Sequence, residues 1–422
     1  MKTTALRLYG KNDLRLETFD LPPIGDDEIL ADITSDSICM STYKAAIQGT
    51  DHKRVPKDIA ANPVIVGHEF CGRILETGRR VDARFRPGMK YAIQPALNAP
   101  GRELEAPGYS YRYIGGDATH IIIPKEVMEL GCLLPYDGPG YFKASLAEPV
   151  SCVIGAFKTS YHFRQGEYVH AMGIVEGGAC ALLAAAGPMG LLAVDYAVHG
   201  PRRPRLLVVT DIDQARLDRA ARYFTVADAR AHGVELRYVN TRDPDAAAAL
   251  AALAGGKGYD DVFVFAPVAA VVEQGARLLA FNGCLNFFAG PSDKNFSAVV
   301  NFYDIHYSGH HFAGSSGGNT DDMKESLHLM AAGALNPSVL ITHVGGLDAA
   351  AAAIKELPHI PGGKKLIYTQ IAMPLASIAD FEKLGGADPV FRELARITDA
   401  NNGLWSVEAE EYLLGHARPI RP

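Results

Sequence analysis

What this chain has little of narrows it first. It carries six cysteines in 422 residues, and no two form a CxxC pair. That excludes a disulfide-framed scaffold, and the expectation is a reducing cytoplasm. The net charge is −7, and no Lys/Arg cluster is interleaved with aromatics, so nucleic acid is excluded as a partner. There is no internal repeat and no low-complexity linker, apart from alanine-rich helical stretches such as 245–254. The opening residues Met1–Arg7 lack the apolar core of a signal peptide, so no leader is expected. One run, 179–198, is almost wholly apolar and has the length of a membrane span. Gly187-Pro188 interrupts it and Asp195 sits inside it. A buried strand, a tight turn and a packed helix are predicted there instead, and no membrane partner.

What is present is a globular composition, 48% hydrophobic and 21% charged, on a chain long enough for two ordinary domains with sizeable cores. Residues 1–152 read as short strands punctuated by Gly and Pro; 5–9, 28–33, 64–66 and 91–93 follow the pattern. From 153 the pattern changes to apolar runs alternating with Ala/Leu-rich helical segments, which predicts a parallel sheet covered by helices and an α/β class. Three helices are predicted after 371, over 374–381, 388–395 and 405–416, from apolar residues at helical spacing.

Chemistry-bearing residues concentrate in a few places. Pro63-Val64-Ile65-Val66-Gly67-His68-Glu69-Phe70-Cys71-Gly72 puts an imidazole beside a carboxylate at the end of an apolar run. Adjacent strand residues face opposite ways, so His68 and Glu69 share a metal only where the strand bends, which Gly67 and Gly72 allow. By itself such a pair is more often structural, and Cys39 alone reads as a buried thiol. With Glu148, in Ala147-Glu148-Pro149, the four make a mixed S/N/O donor set that suits tetrahedral zinc with an exchangeable position. A second signal is Ala185-Ala186-Gly187-Pro188-Met189-Gly190 between an apolar run and a helix, a GxGxxG pattern with Ala185 in the first place. The run 206–211 ends in Asp211, about twenty residues on, where a carboxylate accepts from the adenosine-ribose hydroxyls of NAD. Asp211 has a rival role as a helix cap, for which Asp213 is better placed.

These stretches resemble the zinc-dependent medium-chain dehydrogenases, over about Met1 to Gln370. The resemblance implies a GroES-like, partly open β-barrel catalytic domain over 1–152 and 317–370. It also implies a Rossmann NAD-binding domain over 153–316, leaving 371–422 as a helical C-terminal extension. It implies that Cys39, His68, Glu69 and Glu148 bind one catalytic zinc, three at any moment, and that Ser41 passes the alcohol proton. Gly187, Pro188, Met189, Gly190 and Asp211 are then the NAD(H) contacts, with Arg216 able to rescue some NADP(H). Three departures stand out. Thr42 replaces a frequent Asp, Lys44 replaces a frequent His of the proton relay, and 98–116 has no Cys or His. A thiolate site needs thiolates, so no structural zinc is expected.

The resemblance is closest to the polyol and sugar-phosphate branch, and there to the reductases of L-sorbose 1-phosphate. It implies reduction of that ketose to glucitol 6-phosphate, by a homodimer or homotetramer. Lys44, Arg102 and Arg112 are the cations considered for the phosphate. A threonine or free-polyol dehydrogenase, and a non-catalytic nucleotide-binding protein, stay open as alternatives. His306, His310 and His311 crowd one segment with no acid or thiol at ligand spacing, which leaves them a substrate or interface role. Gly173, Gly177 and Gly178 predict a surface hairpin within 166–178.

Overall fold

Short β-branched and aromatic runs broken by Gly and Pro cannot support long helices, and the first part of the chain is accordingly antiparallel sheet. The computed structural model describes residues 1–164 and 166–420. The chain divides into two compact units. The first comprises Met1–Glu148, Met323–Ala332 and Pro337–Pro422; the second comprises Pro149–Asp322 and Gly333–Asn336.

In the first unit, Lys2–Gly10 pairs antiparallel with Asp13–Asp20 on one side and with Val64–Ile65 on the other. A larger sheet runs in the order Ala376–Ser377, Ile341–Gly346, Lys364–Tyr368, Ser35–Ile38, Phe70–Thr77, Ile29–Asp32, His120–Ile123. Lys90–Ile93 branches from Phe70–Thr77 and pairs with Leu133–Pro135. The inward-facing Ile29, Ala31, Ile33, Ile74, Tyr91, Ile121 and Ile123 pack into one buried cluster. Burial of each of the larger side chains is worth about 1.5–3 kcal/mol. The chain then turns at Gly67, whose φ of 88° is left-handed. A Cβ there would meet the Asp117 nitrogen at 2.8 Å. This bend delivers His68 and Glu69.

The extension also belongs to this unit. The helix predicted over 374–381 is not formed: Ala376–Ser377 pairs with His343 and Val344 as an edge strand, and Ile378–Asp380 makes a 3-10 turn. The helices Phe381–Leu384, Pro389–Ala400 and Val407–His416 follow. Glu410, buried, accepts from the backbone N–H of Tyr141 (2.5 Å) and Phe142 (2.9 Å) and from the Tyr368 hydroxyl (2.9 Å). The Trp405 indole N–H donates to the same Tyr368 oxygen at 2.7 Å. Three charge-assisted bonds to one buried carboxylate fasten the tail to the barrel.

The second unit holds a six-stranded parallel sheet. Its order is Glu235–Asn240, Leu206–Asp211, Ala179–Leu183, Tyr259–Val264, Leu279–Phe287, His311–Ala313. The membrane-length run resolves into the strand Ala179–Leu183 and the helix Pro188–His199. That helix is apolar nearly all round, and Gly190 to Val198 are all buried, as such a pattern requires. Among the described residues no helix is long and apolar enough to cross a membrane. A hairpin is expected within 166–178, but the paired strands are Tyr161–Phe163 and His170–Met172, so it lies earlier. Gly173, Gly177 and Gly178 fall after it, on the way to the strand Ala179–Leu183.

Candidate active site and cofactor turn

Cys39 occupies the N-cap position of the helix Met40–Gln48, immediately after the strand Ser35–Ile38. The neighbouring strand Phe70–Thr77 starts just beyond His68 and Glu69 and pairs with Ser35–Ile38. Sheet pairing therefore joins residues about thirty apart in sequence. A donor atom from each of Cys39, His68 and Glu69 lies within 4.8 Å of the other two. Glu148, at the start of Ala147–Thr159, stands outside that triplet, yet its charge raises the pKa of both Cys39 and His68.

The protonation states suit a metal. Burial pushes the Cys39 thiol up to about 11, Lys364 opposes the rise and the two glutamates add to it. A thiol there becomes a thiolate only when a cation compensates it. Burial lowers the His68 pKa, so the imidazole is neutral and able to ligate. His68 Nδ1 lies 3.2 Å from the Thr42 hydroxyl, which fixes the ring from behind. Ser41 Oγ donates to Cys39 Sγ at 3.1 Å and sits 3.3 Å from His68 Nε2.

Several residues at this site escaped the sequence reading. Lys364 Nζ donates to both Glu69 oxygens, at 2.6 and 2.5 Å, and Ser37 donates to the same carboxylate. The 295 residues between Lys364 and Glu69 leave no local signal of this pairing. Tyr109, from the cysteine-free stretch, brings its hydroxyl to 3.4 Å from His68 Nε2 and hydrogen-bonds Ser41. The His52 ring stacks on Tyr109 with centroids 5.6 Å apart, and the Arg54 guanidinium lies 5.8 Å from the Tyr109 ring. His52 is held below its ordinary pKa by burial and then by Arg54, Lys53 and Lys44, which marks a local excess of positive charge. Arg102, by contrast, is engaged by Glu105 at 3.0 Å and Glu126 at 3.8 Å. Arg112 lies over the Tyr113 ring. Behind the Gly67 turn, Asp36 and Asp117 are buried with no hydrogen-bond partner on their carboxyl oxygens. Burial raises both pKa values, Asp117 to about 7.

The glycine turn lies in the second unit. Gly187 caps the helix Pro188–His199, Pro188 takes its first position, and a Cβ on Gly187 would meet nothing within 4 Å. The free amides of Met189 and Gly190 are the donors a phosphate uses at such a terminus. A Cβ on Gly190 would lie 2.0 Å from the Ala185 carbonyl oxygen, so only glycine fits there. Asp211 is buried at the end of its strand, accepting from Ala186 N at 3.2 Å and Asp213 N at 3.1 Å. Asp213 accepts from Arg216 N and caps the helix Gln214–Tyr223. The Arg216 guanidinium turns back to Asp213 at 3.7 Å. Ala184 takes φ 55°, a left-handed value for a non-glycine residue. His311 Nε2 contacts Asn282 Oδ1 at 2.8 Å, and its ring packs on Tyr161 and Phe163.

Comparison with known proteins shows the family and the fold. Residues 25–131 match the alcohol dehydrogenase GroES-like domain, and residues 188–332 match the zinc-binding dehydrogenase family. The chain is 50% identical over 419 residues to L-sorbose 1-phosphate reductase of Klebsiella pneumoniae, covering 99% of this chain and 98% of that one. It is 52% identical over 414 residues to mannitol-1-phosphate 5-dehydrogenase of Aliivibrio fischeri, covering 98% and 97%. Among solved structures, 2R,3R-butanediol dehydrogenase from Bacillus subtilis shares the fold with a TM-score of 0.69 at 19% identity, covering 87% of this chain and 99% of that chain. The chain therefore belongs to the zinc-dependent medium-chain dehydrogenases, in their polyol and sugar-phosphate branch, and is an oxidoreductase.

Proposed function

We propose that this oxidoreductase interconverts a six-carbon ketose phosphate and its alditol phosphate with NAD(H), and that reduction of L-sorbose 1-phosphate to glucitol 6-phosphate is its reaction. The convergence of Cys39, His68 and Glu69 donors carries the chemical part of the reading. The names of the two sugar-phosphate relatives support the substrate class. Soft sulfur, imidazole and carboxylate together fit one catalytic zinc. Cys39, His68 and Glu69 hold it, with Glu148 as the exchanging fourth group. When bound, zinc supplies Lewis acidity to the substrate oxygen, and the nicotinamide supplies the hydride. The lobe 98–116 offers no thiolate and takes no structural zinc.

The chain's own residues do the rest. Burial keeps His68 neutral and Thr42 fixes its Nδ1, leaving Nε2 for the metal. Ser41 gives its hydroxyl proton to the alkoxide formed on reduction. Tyr109, bonded to Ser41, is the next hydroxyl along and replaces the imidazole relay that Lys44 cannot provide. The positive segment of Lys44, His52, Lys53 and Arg54 is the side toward which a substrate phosphate is drawn. Gly187, Pro188, Met189 and Gly190 take the cofactor pyrophosphate, and Asp211 takes the ribose hydroxyls. The Asp211 charge disfavours a 2′-phosphate by roughly 2–4 kcal/mol, and Arg216, turned to Asp213, offsets little of it. Exposed Phe281, Val299, Phe302, Tyr303 and Tyr307 near the sheet edge support a homo-oligomer, dimer or tetramer.

The test is a panel of L-sorbose 1-phosphate, mannitol 1-phosphate and the free sugars, each with both cofactors. The expected result is efficient turnover of L-sorbose 1-phosphate with NADH. Equal kcat/KM on free L-sorbose would remove the phosphate from the reading. Equal or better use of NADPH would remove the Asp211 assignment.

A further inference from the structure

The second unit carries another group of convergent ligands that the oxidoreductase reaction does not use. His199 closes the helix Pro188–His199, Asp228 lies in the helix Val226–Ala231, and His232 caps that helix. A donor atom from each lies within 4.8 Å of the others, and all three are partly exposed. Asp228 and His232 are four apart, so they share one helical face.

The group has the layered construction of a metal site. His199 Nδ1 lies 2.7 Å from Asp195, whose carboxylate is buried and whose other oxygen accepts from Asn336 N at 2.9 Å. That bond sets the ring and leaves Nε2 facing Asp228 Oδ2 at 2.9 Å. A carboxylate behind a histidine is the usual outer support of a metal ligand. With metal–ligand bonds of about 2.0–2.1 Å, tetrahedral donors stand about 3.3 Å apart, so His199 and Asp228 need to part by about 0.4 Å and the three donors, all within 4.8 Å, to draw into one shell. His232 Nδ1 lies 3.6 Å from Asp228 Oδ1, with its ring perpendicular to His199 and centroids 4.6 Å apart. An ion pair of His199 with its two carboxylates needs no second imidazole at that place, whereas a three-ligand site does.

We propose that His199, Asp228 and His232 form an exchangeable divalent-cation site of the zinc class, with water completing the shell and Asp195 orienting His199. Two imidazoles and one carboxylate match zinc, cobalt or nickel rather than calcium or magnesium. To ligate through Nδ1, His232 releases its 3.0 Å contact with the Asp228 carbonyl oxygen. The cation ties the C-terminal end of the helix that begins at the glycine turn to its neighbour helix. It is independent of the Cys39 site and holds its ion less tightly, being open to solvent.

The experiment is equilibrium dialysis of the purified holoenzyme against buffered micromolar free zinc. Zinc per chain is measured by elemental analysis, and thermal unfolding is followed with and without the added zinc. Wild type is compared with His232→Gln, Asp228→Asn and Cys39→Ser. Wild type is expected to hold one zinc per chain more than His232→Gln or Asp228→Asn, and to gain about 2–4 °C in Tm on zinc addition. Both variants lose that gain with turnover at wild-type levels; His232→Gln keeps the zinc-free Tm of wild type, while Asp228→Asn, which removes the His199 ion pair, is read against its own zinc-free Tm. Cys39→Ser keeps the added zinc and loses the tight one. Equal zinc counts and equal Tm responses in wild type and His232→Gln would make the cluster a charge clasp and overturn the proposal. So would loss of the added zinc in Cys39→Ser alone.

Discussion

Replacing Lys364 with methionine keeps the length of the side chain and removes its charge beside Glu69. In the structure Lys364 Nζ bonds both Glu69 oxygens, and the Glu69 side chain is 1% exposed while that of Lys364 is 12% exposed. In metal-free Lys364→Met, Glu69 keeps only the Ser37 hydroxyl among these partners. Removing one member of a buried pair costs about 3–5 kcal/mol, because the other charge stays desolvated. With zinc in place, two positive charges stand beside Glu69 and most of that penalty disappears. Loading exchanges the Cys39 thiol proton for a divalent ion, a net gain of one positive charge, so loss of a neighbouring ammonium favours it. If about 2–3 kcal/mol of the penalty is relieved on loading, linkage requires zinc to bind about 30–150-fold tighter to Lys364→Met than to wild type.

Two measurements check this. Chelator competition gives the zinc affinity of wild type, Lys364→Met and Lys364→Arg. Denaturant unfolding with and without chelator gives the stability change in each state. The methionine variant is expected to lose several kcal/mol when stripped and little when loaded, with the arginine variant near wild type. A loss of the same size in both states, or zinc affinity equal to or weaker than wild type, would refute the idea that Lys364 and zinc compete for Glu69.

Other perturbations read other parts of the molecule. Ala184→Gly removes a left-handed alanine at the cofactor turn; relief of about 1–2 kcal/mol against added unfolded-chain entropy leaves a net stabilisation of about 0.5–1 kcal/mol, seen as a raised Tm. Arg54→Gln is expected to raise KM for the sugar phosphate about tenfold, an electrostatic loss of about 1.4 kcal/mol, with kcat on a free polyol unchanged; an unchanged KM would remove Arg54 from phosphate capture. Asp117 has a folded pKa raised from 3.8 to about 7 by burial, so the folded state binds the extra proton and its stability falls as pH rises from about 4 to 7. The Tm advantage of Asp117→Asn over wild type should therefore be larger at pH 8 than at pH 5.

Legibility followed the range of the interaction. The parallel sheet, the glycine turn and the Asp213 cap are written in residues within one or two elements of each other, where periodicity and turn chemistry act. The second and third helices after 371 were legible as helices; the first was not, because Ala376–Ser377 forms an edge strand and Ile378–Asp380 a 3-10 turn. Nor was the attachment through Glu410 to Tyr141, Phe142 and Tyr368 legible. Nothing local marks a glutamate as the buried anchor of three distant donors. At the candidate site the ligand types could be read, but Lys364 and Tyr109 arrive by tertiary packing. Tyr109 comes from the stretch notable in sequence for its missing cysteines. The absence of one function there concealed the presence of another side chain at the site.

The charges around the proposed metal explain why two substitutions in the common pattern go together. In the loaded state Cys39 contributes a thiolate, and Glu69 and Glu148 contribute a carboxylate each, three negative charges against zinc's two positive. Lys364, paired with Glu69, brings the sum to zero. A carboxylate at position 42 would break that balance and leave a net negative centre facing a phosphorylated substrate. The Thr42 hydroxyl fixes His68 Nδ1 at 3.2 Å without adding charge. Repulsion between unit charges about 4 Å apart is worth about 1–4 kcal/mol depending on desolvation, and less with distance, which would weaken binding of a phosphate dianion. A neutral centre neither repels nor captures the phosphate. On the proposed reading capture would fall to the positive segment of Lys44, His52, Lys53 and Arg54, which flanks Tyr109 and through it His68. On the same reading, lysine in place of histidine at 44 removes a relay group and supplies a cation, and Tyr109, bonded to Ser41, would take over the hydroxyl end of the relay. On this reasoning Thr42 and Lys44 are one adaptation to an anionic substrate. Thr42→Asp should then weaken use of the sugar phosphate more than use of the free sugar.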